Sequence, residues 1–290
     1  MKINKTIIGL GSAGIEIANT FSTYEGFSPI ALDYDQVSLS GTKKENIITL
    51  PAMTQVIEEY EETIPDNLFK GKVLDKDILF VVGGGGKISV ASLRIIEQLK
   101  KEDKNVSILY VKPDRTFLAE QNILLDKITF SILQEYTRSG HIERMWIVSN
   151  PEIESLLGGL PIIGYNEGIN KAIVSSFHTY YNFKESKPVM STLSTLPTAT
   201  RFSTLGMFDE TSQQEKSFFP LDFVTDVEYY FAFNEEKLKV DKKVLNSIKS
   251  TIHDKNTVSK NRCSYGVFAT IYKDDFVLFH KATSFIQLNK

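Results

Sequence analysis

Residues 78–99 read ILFVVGGGGKISVASLRIIEQL, and the reading of the whole chain works outward from them. The apolar run from Ile78 to Val82 fits a strand buried on both faces. Gly83, Gly84, Gly85 and Gly86 follow without interruption. From about Ile88 the apolar period changes: Leu93, Ile96 and Leu99 recur at helical spacing, with Arg94, Glu97 and Lys100 between them. The layout is strand, glycine loop, helix. Glycine has no Cβ, so consecutive backbone N–H groups can turn towards an anion and approach it closely. The following helix N-terminus adds a partial positive charge. Such a loop is a cradle for a phosphate.

A second glycine turn lies near the start of the chain. Residues 6–10 read as a buried strand that runs into Gly9-Leu-Gly-Ser-Ala-Gly14, a GxGxxG pattern, and a helix continues through Ile15, Ala18 and Asn19. Residues 29–32 form the next strand, ending in Asp33-Tyr-Asp35. An acidic residue about 20 positions past the glycines is what a dinucleotide fold uses to hold a ribose, so these residues alone also fit nicotinamide binding. Further strands are expected at residues 106–111 and 145–148. Helices are expected through Phe117 to Tyr136, around Ile153 to Leu157, and from about Tyr165 to Tyr181. The acidic stretch of residues 54–63 reads as a helix with a solvated face. Strands separated by helices imply a mostly parallel sheet with right-handed crossovers, and ligands in such sheets sit beyond the carboxyl ends of the strands. Every glycine or acidic turn noted above falls there.

The pattern changes after Lys184. A connector rich in Ser, Thr and Pro leads to strands expected at 202–208, 227–233, 265–272 and 276–282, with Lys273-Asp-Asp275 as a hairpin turn. One helix interrupts them, with Val240, Val244, Leu245, Ile248 and Ile252 as its apolar stripe. The expected class is α/β: a mostly parallel sheet with helices on both faces (residues 1–164), a central connecting helix (165–184), and a smaller α+β domain (185–290).

Totals narrow the function. Of 290 residues, 42% are hydrophobic and 24% charged, which are ordinary globular values, and the net charge of −3 gives no electrostatic signal for nucleic acid. The single cysteine, Cys263, excludes an intrachain disulfide and points to a reducing, cytoplasmic setting. No apolar run reaches the roughly 18 residues that a membrane span needs. No metal site is expected.

The order and spacing of these motifs resemble the tubulin/FtsZ superfamily, FtsZ-like members most closely, over nearly the whole chain. Residues 7–19 resemble the first nucleotide loop and its helix, and Ile30-Ala-Leu-Asp-Tyr-Asp-Gln36 the second loop. Gly83 to Gly86 stand where the family has a GGGTGTG signature, and Lys112-Pro113 with Phe117 resembles its KPF segment. Residues 148–150, 156–159 and 165–167 resemble the ribose and base segments before the central helix. The resemblance implies GTP or GDP, with or without Mg, held by Gly11, Ser12, Asp35, Gly83, Gly84, Gly85 and Gly86 around the phosphates and their neighbourhood. It places Asn19 near the base or ribose and Asn166 against guanine. It also implies a chain that is its own partner, in a head-to-tail homopolymer.

The chain departs from the family in two places. The signature becomes Gly83-Gly-Gly-Gly-Lys-Ile-Ser89, without the threonine and two of the glycines. Lys87 can pair with a phosphate or point to solvent. The segment 187–195, KPVMSTLST, matches the loop that family members insert into the next subunit's pocket, yet it holds no Asp or Glu. Hydrolysis is therefore expected to be weak, with no catalytic residue assigned. Glu185 and Asp209 are the nearest acids, and neither matches. The absence of a long tail after Lys290 fits a viral or plasmid tubulin-like protein, or a divergent paralogue. Two other readings remain at this stage: a degenerate interaction module without turnover, and an NAD-dependent oxidoreductase, for which His141, His178, His253 and His280 supply no catalytic set. Valine at Gly84 is expected to fill the phosphate space, to resist a positive φ, and to leave the fold intact.

Overall fold

The computed structural model describes residues 3–209, 214–258 and 261–288. Met1 and Lys290, and the side chains of Glu58, Asp209 and His253, lie outside what is described. The first half alternates strand and helix: β1 (Lys5–Leu10), α1 (Gly11–Phe21), β2 (Phe27–Asp33), α2 (Gln36–Leu39), β3 (Ile47–Thr49), β4 (Asp77–Gly83), α3 (Ser92–Lys101), β5 (Asn105–Lys112), α4 (Glu120–Arg138), β6 (Arg144–Ser149), α5 (Asn150–Leu157) and the long α6 (Tyr165–Glu185). The second half holds β7 (Phe202–Asp209), β8 (Gln214–Ser217), β9 (Asp226–Asn234), α7 (Glu235–Val240), α8 (Lys243–Val258), β10 (Arg262–Thr270) and β11 (Phe276–Thr283).

The strands of the first half are apolar at nearly every position because successive side chains enter opposite cores. Ile8, Ile78, Phe80, Ile108 and Ile147 pack with Ile95 and Leu99 of α3 and Phe130 and Leu133 of α4. Ile7, Leu79, Val81, Leu109 and Val148 pack on the other face with Ile17 and Phe21 of α1, Ile153 of α5 and Phe177 of α6. Burial of each such side chain contributes about 1.5–3 kcal/mol, so a one-residue slip would misplace both cores together.

Among the described residues, eleven strands join one sheet in the order β10-β9-β11-β7-β6-β5-β4-β1-β2-β3, with β8 paired to β7. The run from β7 to β3 is parallel throughout. The sequence direction reverses between β1 and β4: β2 and β3 extend one way, β4, β5 and β6 the other. Thus the two strands that end in glycine turns are neighbours, with Leu10 opposite Val82. The C-terminal strands β7, β11 and β9 pair antiparallel, as an α/β sheet followed by an α+β part requires.

Four local expectations are corrected. Residues 271–275 do not close a hairpin, because β10 pairs parallel to β9 and β11 pairs antiparallel to the other edge of β9. The α7–α8 crossover carries the chain across, and β9 lies between the two strands. The helical stripe in that crossover is broken: α7 stops at Val240, which is 78% exposed, and α8 buries Val244 and Ile248 while Leu245 faces outward. The acidic stretch forms a 3-10 turn at Ile57–Thr63 rather than a longer helix. Phe117 precedes α4 and is 86% exposed.

Candidate functional site

The two glycine turns touch. Gly11 opens α1 with φ +72°, and a Cβ there would come 2.8 Å from Cγ2 of Ile88, which follows the second turn. A Cβ on Gly83 would come 3.3 Å from the Ala13 methyl. Gly9 and Gly14 bring the end of β1 against its own helix so closely that a Cβ on Gly9 would meet the Gly14 carbonyl oxygen at 2.3 Å. Gly85 has φ +80°, a conformation that favours glycine, whereas Gly86 is exposed and a Cβ on it would meet nothing within 4 Å. The turns therefore meet beyond the carboxyl ends of β1 and β4, where the strand order reverses and an open α/β sheet leaves a crevice. That is where ligands bind in open α/β sheets.

The helix ends here suit an anion. The N-cap of α1 is Leu10, which supplies no side-chain cap, and its first turn holds no acidic residue. Its leading N–H groups thus meet neither a capping oxygen nor a carboxylate. The 3-10 turn Lys87–Ala91 likewise starts with no side-chain cap and no acidic residue in its first turn, whereas α5 and α6, also without a side-chain cap, carry Glu152 and Glu167 in theirs. Among the described residues, Asn150 Oδ1 is one of two buried side-chain polar atoms with no hydrogen-bond partner. It stands at the carboxyl end of β6, and an orphaned acceptor there fits a hydroxyl donor such as a ribose.

The structure brings Gly11, Ser12, Gly83, Gly84, Gly85 and Gly86 together at this crevice, with Ser12 exposed on the first turn of α1. Asn19 sits further along α1, where its amide donates to Thr42 Oγ1 at 2.8 Å. Asp35 caps α2, accepting the Val37 N–H at 3.0 Å. Asp33, which a dinucleotide reading would put on a ribose, is 4% exposed and accepts the Asp35 N–H. Asn166 is exposed on the first turn of α6. One turn later Asn170 is buried and donates to Glu16 Oε2 of α1 at 3.0 Å. Sequence reading missed this pair. Its signal was Asn170 itself, a polar residue on the stripe of Ile169, Ile173 and Val174, where a buried amide needs a partner. Tyr165 closes the same side by donating to Glu154 at 2.9 Å, and burial together with that carboxylate pushes its phenol up to about 12.

Gly84 is misread by the sequence argument. A Cβ on it would point away from open space, to 2.1 Å from Asp126 Oδ1 and 2.8 Å from the Tyr110 hydroxyl, and its φ is not positive. Valine there would strike a packed cluster of α4 and β5, so the fold would not be left intact.

At the far end of α6, the segment 187–195 touches β10 through a single bridge: Val189 donates to the Val267 carbonyl and Val267 donates to the Met190 carbonyl. Ser191 has φ +64°. Glu185 is exposed at the helix end. Since α6 has 21 residues, this end is about 30 Å from the crevice.

No protein-family model and no curated protein matches the sequence. Solved structures do. A GTPγS-form protofilament of TubZ from Bacillus thuringiensis serovar israelensis superposes with TM-score 0.72 at 17% identity, over 97% of this chain and 88% of that one. A GTPγS-bound protofilament of CetZ2 from Haloferax volcanii gives 0.75 at 12%, over 96% and 92%. An FtsZ dimer from M. jannaschii gives 0.70 at 11%, over 98% and 89%. Their likeness spans nearly the whole chain, and it means that this chain has the tubulin/FtsZ fold.

Proposed function

We propose that this chain binds GTP or GDP in the crevice between β1 and β4 and assembles with copies of itself head to tail. The observation that carries the reading is the contact of two glycine turns at the point where the strand order reverses. In this reading Gly11, Ser12, Gly85 and Gly86 offer backbone N–H groups to the phosphates, while Gly83 and Gly84 shape the turn, the Gly84 N–H being donated to the Val111 carbonyl at 2.8 Å. Any Mg2+ comes with the nucleotide, held chiefly by its phosphates and water. Asn150 accepts from the ribose.

The Glu16–Asn170 pair accounts for the base. Guanine presents a ring N–H and an exocyclic amine side by side, and a carboxylate accepts both. Adenine presents an acceptor at the ring position and would be repelled. Asn19 and Asn166 then stand on the rim rather than at the guanine edge.

Assembly follows from the length of α6. The segment 187–195 is too far from its own crevice to act there, so it can act only on another copy. A head-to-tail contact that does not close makes a filament. The three-part division at residues 164 and 184 fits this arrangement, with the central helix linking the nucleotide end to the contacting end. Hydrolysis is slow in this reading, because residues 187–195 supply no carboxylate to position water. The same absence supports a second reading, a nucleotide-free interaction module. No described helix is long and apolar enough to cross a membrane, and the single cysteine suits the cytoplasm.

Denaturing the purified chain and separating what it releases decides between the readings. Guanine nucleotide in the supernatant is expected, as is tighter titration by GTP and GDP than by ATP or NADH. Preference for NADH would overturn the proposal.

A further inference from the structure

The helix α6 has an exposed apolar knob before its first turn and an apolar cavity beside its last. The chain between α5 and α6 reads Gly158-Gly-Leu-Pro-Ile-Ile-Gly164. Ile162 is 95% exposed and Ile163 92%. The loop that carries them is pinned. Gly158, Gly159 and Gly164 all have positive φ, a conformation that glycine adopts without strain. Leu160 packs on the start of α6, where a Cβ on Gly168 would come 2.9 Å from its Cδ2. The Tyr165 N–H donates back to the Ile162 carbonyl. The fold thus holds two adjacent isoleucines out in water. Single exposed apolar residues are ordinary, but a fixed adjacent pair is a contact surface in want of a cover.

The cavity, of about 420 Å³, lies where the segment leaving α6 meets the α7–α8 crossover and β10. Its lining includes Val189 and Met190 from the segment, Leu238, Leu245 and Ile248 from the crossover, and Val267 from β10. Val189 and Leu245 remain exposed, so the cavity is open to solvent. Phe268, next to Val267, stacks on Phe183 in the last turn of α6 with ring centres 4.5 Å apart. That contact fixes the cavity at the far end of the helix. Knob and cavity are therefore separated by the 21 residues of α6, about 30 Å. No copy can seat its knob in its own cavity. The charges around the two match as well. Residues 150–168 hold Glu152, Glu154 and Glu167 and no lysine or arginine, whereas residues 235–250 hold five lysines against three acids. Lys242, Lys243 and Lys249 are exposed. An acidic rim facing a basic one favours this docking and opposes knob against knob.

We propose that Ile162 and Ile163 of one copy seat in the cavity of the next, so that the occupant of the cavity is a second copy of this chain. This rests on the head-to-tail reading and names the contact that carries it. A knob and a cavity on different faces make a heterologous contact, which propagates into a filament when its rotation does not close.

The test mixes two variants of the full chain in the presence of GTP. Ile162→Ser/Ile163→Ser lacks the knob, and Val189→Glu/Leu245→Glu puts carboxylates in the cavity. All four side chains are exposed, and urea midpoints check the fold. Light scattering reads assembly, and sedimentation velocity reads particle size. Each variant alone should need at least about 100-fold more protein to assemble, as for the loss of two hot-spot side chains. The knobless variant keeps a cavity and the blocked variant keeps a knob. At concentrations where the wild type assembles, their mixture should therefore give dimers and no filaments. Filaments from either variant at the wild-type concentration, or a mixture that stays monomeric, would overturn the proposal and leave head-to-tail assembly to another contact. A wild type that never assembles would overturn both. Nucleotide released on denaturation should be unchanged in both variants; its loss from the knobless one would assign the loop to the crevice and not to the interface. Should the blocked variant not fold, the decision passes to interchain disulfides. They should form between copies carrying Ile163→Cys and copies carrying Val189→Cys and not within either alone, and their absence from the mixture would overturn the proposal.

Discussion

Acidification should weaken this protein through one buried histidine. His280 of β11 is fully buried at the joint between the two parts of the sheet. Its Nδ1 lies 2.7 Å from Glu228 Oε2 of β9, and its Nε2 lies 2.9 Å from Ser203 Oγ of β7. Ser203 Oγ also accepts from Arg144 of β6 at 2.6 Å, and Glu228 accepts from Lys184 at the end of α6 and from the Tyr230 hydroxyl. A neutral ring protonated on Nδ1 satisfies every member: Arg144 donates to Ser203, Ser203 to Nε2, and Nδ1 to the carboxylate. Burial pushes the imidazole down to about 4; Arg144 and Lys184 add to this, while Glu228 opposes it. Glu228 is pushed up by burial, but His280 and Lys184 outweigh that and hold it at about 2. The sign for the histidine is then fixed. Its folded pKa lies below the unfolded value of about 6.5, so the unfolded chain binds the proton first and stability falls as pH drops from about 6.5 towards 4. Between about pH 7.5 and about pH 5 the loss from this group is about 2 kcal/mol, from the difference in proton binding. Glu228 keeps its own contribution until pH falls below the ordinary carboxylate range. Urea midpoints at the two pH values measure the loss in the wild type and in His280→Gln. His178 is also lowered by burial, so the difference between the two proteins is what reports on His280. The variant should be weaker at neutral pH and lose about 2 kcal/mol less on acidification. Equal losses in both proteins would refute the argument.

Glu16→Gln should cut the preference for GTP over ATP by about 10–100-fold, because the lost acceptor is charged; competition binding measures it, and unchanged selectivity would remove Glu16 from the base site. Gly84→Val should lower the urea midpoint sharply or prevent folding, whereas Gly86→Ala should fold normally, since only the first meets Asp126 and Tyr110. Phosphate release measured beside light scattering should be slow relative to assembly, and Ser194→Asp should raise it; rapid release that follows polymer mass in the wild type would show that a carboxylate already reaches the crevice.

The layering of the first half was legible in the sequence because burial on both faces forces near-continuous apolar strands, and the glycine runs mark where two of them end. The site was legible as far as those turns. What was not legible depends on contacts between distant elements. Asn166 and Asn170 are both amides near the start of one helix, and only the rotation of α6 against α1 decides which meets Glu16. Asp126 lies within α4, and no local pattern says that β5 will bring Lys112 and Arg115 to it. Glu228 was a signal in plain view, an acid inside the apolar run of β9, yet its partner His280 is 52 residues away. The false hairpin has the same origin. Residues 271–275 look like a turn and do bend the chain, but the strands they join pair with β9 and not with each other.

The long helix ties these features into one argument about mechanism. Its first turns carry Asn170 to Glu16 beside the crevice, and its last turn carries Lys184 to Glu228 in the His280 cluster. A shift of α6 along its axis would disturb both contacts, and the larger cost falls at the Glu228 end, where the carboxylate is buried, whereas Glu16 is exposed. The helix thus joins the crevice side to the point, about 30 Å away, where residues 187–195 leave it. That is the surface a second copy would meet. Under the proposed function, coupling of nucleotide to assembly would need no catalytic carboxylate, because positioning of the contact needs binding alone and only its reversal needs chemistry.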